Sequence, residues 1–106
     1  MEQISIDEVK RRLEKGEPIH LVDVREPAEV ADFNIGGQHI PLGSIQNMQV
    51  DEIENLKEEE VVVYCRSGNR STQASLIMET LGFKNVKNLQ GGMLAWREKF
   101  GDKRPA

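Results

Sequence analysis

The sequence predicts one α/β domain built on a mainly parallel sheet with helices on both faces. Three observations carry that expectation. Leu21–Val24 and Val61–Tyr64 are short, largely β-branched apolar runs, the pattern of strands buried on both faces. Segments of helical period lie between such runs, and alternation of the two kinds implies βαβ connections. The length of 106 residues suits a single core.

Taken in order, Met1–Ile4 reads as a short edge strand. Ser5-Ile6-Asp7-Glu8 is a capping box, with Ser5 as N-cap. Ile6, Val9 and Leu13 then mark one helical face, and Gly16 suits the residue past its end. His20–Val24 is the second strand. Pro27 fits the first position of a following helix, and Glu29 sits in its acid-favouring first turn. Phe33–Gln38 is a turn in which Gly36 and Gly37 permit a tight bend. His39–Leu42 reads as a third strand. Val50, Ile53 and Leu56 recur every three residues, as on a helix, and Glu58-Glu59-Glu60 reads as a solvated connector.

Val61–Tyr64 is the central strand. Beyond it, Ala74, Ile77, Met78 and Leu81 give a helix that Gly82 stops. Val86–Leu89 is the fifth strand. Gln90-Gly91-Gly92 allows close backbone approach to a neighbouring loop. Met93, Trp96 and Phe100 form the inner face of a last helix. The domain is expected over residues 1–100, with 101–106 a frayed tail.

Charge and composition narrow the function. Lys plus Arg is 14 against 18 Asp plus Glu, a formal net charge of −4, with no basic block. Neither nucleic acid nor an anionic membrane is an expected partner. No apolar run approaches the roughly 18 residues of a membrane span, and no charged-then-apolar leader opens the chain. A single cysteine leaves no disulfide within the chain and no cysteine-rich metal site, and it suits a reducing, cytoplasmic setting.

That cysteine, Cys65, stands where the central strand hands over to a helix through Arg66-Ser67-Gly68-Asn69-Arg70-Ser71. The first turn of a helix offers unpartnered N–H groups and a dipole that favours negative charge. A loop curled round the sulfur adds further N–H groups as an anion nest. Arg66 and Arg70 add positive charge. All of these favour thiolate, the nucleophilic form, over thiol. The competing reading is a buried cysteine acting as a small hydrophobe.

In an open parallel sheet, sites form beyond the carboxyl ends of the strands, which brings Asp23, Arg25 and Glu29 to the same edge. An acid inside an apolar strand needs a partner, so Asp23 is expected to support the cysteine loop by pairing with a loop arginine. Glu29 reads equally as a loop support or as part of a solvated, helix-capping charge cluster. His20 and His39 have no partner at metal-ligand spacing and read as structural.

Three stretches together resemble the rhodanese homology domain in order and spacing. They are Leu21–Pro27 with Glu29, the loop Cys65–Ser71, and Leu89–Met93 with Ala95-Trp96, so the likeness runs from Ile4 to Phe100. It implies a three-layer sandwich around a five-stranded, mainly parallel sheet. One departure is the turn Phe33–Pro41, a residue shorter than the family's usual form and similar to rhodanese domains attached to ubiquitin-like-protein activating enzymes. The resemblance implies sulfur transfer without a cofactor. Cys65 would take sulfane sulfur from a small anionic donor such as thiosulfate, become a persulfide, and pass the sulfur to cyanide, a thiol or an acceptor protein. Arg66 would bind the donor, and Arg70 would pair with Asp23 or Glu29.

Two rival classes differ in their residues. Cysteine-dependent phosphatases and arsenate reductases place an arginine after five intervening residues, where this chain has Ser71, and Arg70 comes one position early. A non-catalytic interaction module of this fold typically lacks the cysteine, which this chain keeps. A persulfide carrier lies between enzyme and module.

Overall fold

The computed structural model describes residues 1–103. Five strands form one parallel sheet: β1 (Glu2–Ile4), β2 (His20–Asp23), β3 (Gln38–His39), β4 (Glu60–Tyr64) and β5 (Asn85–Leu89), in the order β1-β5-β4-β2-β3. The helices are α1 (Ile6–Glu14), α2 (Pro27–Asp32), α3 (Leu42–Gln46), α4 (Asn69–Thr80) and α5 (Gly92–Phe100). The central strand β4 explains the order. Its Val61, Val62 and Val63 are fully buried, and burying such a side chain contributes about 1.5 kcal/mol or more.

Alternation along β4 sorts the chain into two cores. Val61, Val63 and Cys65 face one cluster with Val22, Val24, Ile45, Ile53, Ala74 and Met78, under α3 and α4. Val62 and Tyr64 face the other, with Val9, Leu21, Met93 and Trp96, under α1 and α5. The two-residue period of a strand therefore delivers Cys65 to the α4 side.

Most expected elements are present, with three differences. The third strand covers only Gln38–His39. Ile40 and Leu42 still give their N–H groups to the Asp23 and Val24 carbonyls, but Pro41 caps α3 and Leu42 opens that helix instead of ending a strand. Val50 and Ile53 are buried as expected, but Asp51–Leu56 is a 3₁₀ helix, whose period of three the spacing fits better than it fits an α-helix. Glu60 belongs to β4 rather than to a solvated connector: its carboxylate meets Arg12 and Lys87, each at 2.7 Å. At the C-terminus, Gly101 N–H bonds the Arg97 carbonyl and Asp102 pairs with the Arg97 guanidinium at 2.7 Å. Residues 104–106 of the expected tail lie outside the described residues. Among the described residues no helix is long and apolar enough to cross a membrane.

Candidate active site

The carboxyl end of β4 runs into the loop 65–68 and then into α4. Gly68, at φ 109°, sits in the left-handed region and lets the chain curl back before the helix begins. The curl aims amides at the sulfur. Gly68 N–H reaches Cys65 Sγ at 3.1 Å and Ser71 N–H at 3.4 Å, and the Ser71 hydroxyl lies 3.3 Å away.

The second glycine turn holds the outside of this curl. The first amides of α5 would be orphaned at a helix start. Here Met93 N–H bonds the Cys65 carbonyl and Leu94 N–H bonds the Arg66 carbonyl, both at 2.9 Å. A carbonyl and the next residue's N–H point opposite ways across a planar peptide. Tying those two carbonyls outward therefore turns the Arg66 and Ser67 amides inward. The approach needs glycine: a Cβ on Gly92 would stand 2.5 Å from the Cys65 carbonyl oxygen.

Cys65 is only 1% exposed and belongs to the α4-side core, as the hydrophobe reading expects. Its polar surroundings are those of the nucleophile reading. Burial pushes the thiol up, but the Ser71 hydroxyl and the Ser71, Gly68 and Ser67 amides outweigh it, and the net shift is below the ordinary thiol value.

The surrounding charges divide into two pairs. Arg70 forms a two-pronged bridge to Glu29 at 2.7 and 2.8 Å, tying the first turn of α4 to α2. That bridge holds the Glu29 carboxyl at about 2, with some opposition from burial. Asp23 departs from expectation. Its carboxylate takes Nε and Nη2 of Arg25 at 2.9 and 2.8 Å, and the Arg25 backbone N–H as well. Arg25 also donates to the Phe33 carbonyl at 2.7 Å. This pair braces the end of β2 and the turn after α2, and it does not touch the cysteine loop. The expected Asp23–loop arginine pair fails because Arg25, two residues along the same strand end, is closer at hand. His39 Nε2 meets the Arg25 carbonyl at 2.7 Å, and Tyr64 donates its hydroxyl to the Gly36 carbonyl at 2.8 Å.

Beside the loop lies a pocket of about 110 Å³ lined by Arg25, Glu29, Asp32, Arg66, Met93, Leu94 and Arg97. Arg97 is taken up by Asp32 and Asp102, and Arg25 by Asp23. Arg66 is exposed and has no carboxylate partner among the described residues. Asn69 opens α4 at the loop's far end. Among the described residues no group of three His, Cys, Asp or Glu could hold a metal.

Sequence reasoning passed over Asn88. This residue of β5 is buried, accepts a short hydrogen bond from the Ser71 hydroxyl and donates to Gln3 Oε1 at 3.0 Å. The rule applied to Asp23, that a polar group inside an apolar strand needs a partner, would have found it.

A parallel α/β domain that cups one cysteine in loop amides, at a strand-to-helix turn, has the architecture of the rhodanese-like class. Within that class the chain belongs to the rhodanese-like sulfurtransferase family: residues 5–99 match the rhodanese-like domain. It is 40% identical over 98 residues to YtwF of Bacillus subtilis, named as a sulfurtransferase, covering 91% of this chain and 90% of that one. YrkF of the same organism, named as a sulfur carrier protein, is 36% identical over 98 residues, and this chain spans 51% of its length and matches over 92% of its own. The human single-domain sulfurtransferase has a similar structure, with a TM-score of 0.77 at 28% identity, covering 93% of this chain and 97% of that one.

Proposed function

We propose that this protein moves sulfane sulfur through a persulfide on Cys65. In the first half-reaction the Cys65 thiolate attacks the outer sulfur of a small anionic donor such as thiosulfate. The donor's S–S bond breaks, sulfite leaves with the bonding electrons, and a Cys65 persulfide anion forms. In the second, a nucleophile takes the outer sulfur: cyanide becomes thiocyanate, or a thiol becomes a persulfide, and the Cys65 thiolate returns. Both halves are displacements at sulfur, so thiolate content and leaving group control them. Working thiolate chemistry suits a reducing, cytoplasmic setting.

The observation that carries this reading is the pair of amide hydrogens aimed at Cys65 Sγ from 3.1 and 3.4 Å. Such donors stabilise an anion at the sulfur much as an oxyanion hole does. Among the described residues Arg66 is the cation beside the loop without a carboxylate partner, and it receives the donor. With Arg70 turned onto Glu29, no arginine among the described residues closes over the loop as phosphoryl chemistry would require. With no second cysteine to resolve the persulfide, the sulfur leaves to an external thiol, cyanide or acceptor protein.

The test is intact mass after incubation with thiosulfate. One added sulfur atom, removed by reductant and absent in Cys65→Ser, is the expected result; an unchanged mass sinks the reading. Arg66→Ala is expected to raise the thiosulfate KM about tenfold with kcat nearly kept. An unchanged KM would remove Arg66 from donor binding. The likeness to a sulfur carrier favours a second reading, in which the persulfide forms once and waits for one protein acceptor. Steady turnover with cyanide or a small thiol speaks for the enzyme, and a single stoichiometric loading for the carrier.

A further inference from the structure

Asn88, Ser71 and Cys65 form a line of polar groups running from the exposed edge strand to the sulfur. Asn88 is 3% exposed. Its backbone neighbour across the sheet is Gln3, and the two side-chain amides meet, Asn88 Nδ2 donating to Gln3 Oε1 at 3.0 Å. Asn88 Oδ1 accepts from the Ser71 hydroxyl, and the Ser71 oxygen accepts from the Cys65 S–H at 3.3 Å. Every group in this line is satisfied while Cys65 carries its proton.

Loss of that proton breaks the pattern. A hydroxyl has one hydrogen to give. A thiolate can only accept, so the Ser71 hydrogen must turn to Sγ. The Ser71 oxygen would then face Asn88 Oδ1, lone pair against lone pair. An amide has donor and acceptor ends of nearly the same shape. Turning Asn88 presents Nδ2 to Ser71, and Gln3, turning with it, donates to Asn88 Oδ1.

We propose that Asn88 is a positioning residue which, in register with Gln3, turns the Ser71 hydroxyl onto Cys65 Sγ when the thiol ionises. The proton itself leaves to water. A turned Asn88 polarises the Ser71 hydroxyl and strengthens its hydrogen bond to the sulfur. Besides the Ser71, Gly68 and Ser67 amides, the charged neighbours are Arg70 of α4, whose charge couples to the sulfur and whose partner is Glu29 of α2, and the exposed Arg66 next to Cys65 in the loop. From β5 and β1 the groups are the neutral Asn88 and Gln3. The proposal rests on Cys65 being the nucleophile of the sulfur transfer above.

The experiment measures the rate of Cys65 alkylation by iodoacetamide against pH, which needs no sulfur transfer. A chain that gains no sulfur from thiosulfate can therefore still pass it, and the two ideas fail separately. Asn88→Leu is expected to slow alkylation at pH 7 about tenfold, by moving the acid limb about one pH unit upward. In a Ser71→Ala background the same substitution is expected to change nothing. Gln3→Glu lies on the exposed edge and does not threaten folding. Its carboxylate can only accept, so it holds Asn88 Nδ2 away from Ser71, and a several-fold slowing is expected that Ser71→Ala again abolishes. If Asn88→Leu does not fold, Gln3→Glu decides alone. Wild-type rates in the variants that fold overturn the proposal, as does a slowing that persists without the Ser71 hydroxyl.

Discussion

Two arginine–carboxylate pairs lie at the same edge of the sheet and do different work. Asp23 and Arg25 are two residues apart and almost fully buried, at 2% and 3% exposure. Glu29 and Arg70 are 41 residues apart and half-buried, at 28% and 32%. The first pair has every prong of its contact inside the fold, tying β2 to the Phe33 carbonyl and flanking Tyr64, whose ring lies 5.6 Å from the Arg25 guanidinium carbon. The second reaches across the chain and fixes where α4 starts relative to α2. Burial decides the difference. A buried charge left alone is costly, whereas a half-exposed one can turn to water. Breaking the buried pair should therefore cost stability, and breaking the half-exposed pair should shift the cysteine loop.

The sharpest way to break this contrast is Arg25→Ala. It leaves the Asp23 carboxylate buried without its partner, and a loss of about 3–5 kcal/mol is expected by urea unfolding. A loss under about 1 kcal/mol would mean that the pair is no brace.

Glu29→Gln is the matching change on the other side. Stability should fall by about 1 kcal/mol or less. Thiosulfate:cyanide kcat/KM should fall about tenfold, because α4 loses its anchor and the Ser71 amide and hydroxyl drift from the sulfur. Equal effects on stability and activity would erase the distinction.

The smallest effect is on pH. The Glu29 carboxyl is at about 2 in the folded protein, against an ordinary 4.5. A depressed carboxylate stabilises fully above its unfolded value and progressively less as pH falls through the folded one. The bridge's contribution should therefore be constant from pH 7 to pH 5 and fade between about 4.5 and 2. In Arg70→Ala, the Glu29 side-chain NMR titration should return toward 4.5. A midpoint that stays near 2 would assign the depression to something other than Arg70.

How much of this was legible varies with sequence distance. The cysteine loop lies within Tyr64–Ser71, and its strand end, left-handed glycine and helix start are each local signals. Glu29 could be placed at the right edge because Pro27 marks the helix start. The family resemblance gave Arg70 either Asp23 or Glu29 as partner, and the folded chain decides for Glu29. Asp23 was placed correctly at the edge but given the wrong partner, because an apolar strand context says that a carboxylate needs a cation without saying which one. Glu60 looked solvated within a run of three glutamates, and only the arrival of α1 and β5 beside it supplied Arg12 and Lys87. Asn88 resembled an ordinary strand residue, since its two partners lie 17 and 85 residues away.

Sequence alone determined the alternation of strands and helices, the position of the one cysteine at a strand end, and the family. Each follows from periodicity or from motifs of a few adjacent residues. The folded chain alone decided which charge answers which, how the α5 amides hold the cysteine loop open toward its own sulfur, and that a neutral amide on β5 stands behind Ser71. Those are contacts between segments far apart in the chain, and they form only when a shared core brings the segments together.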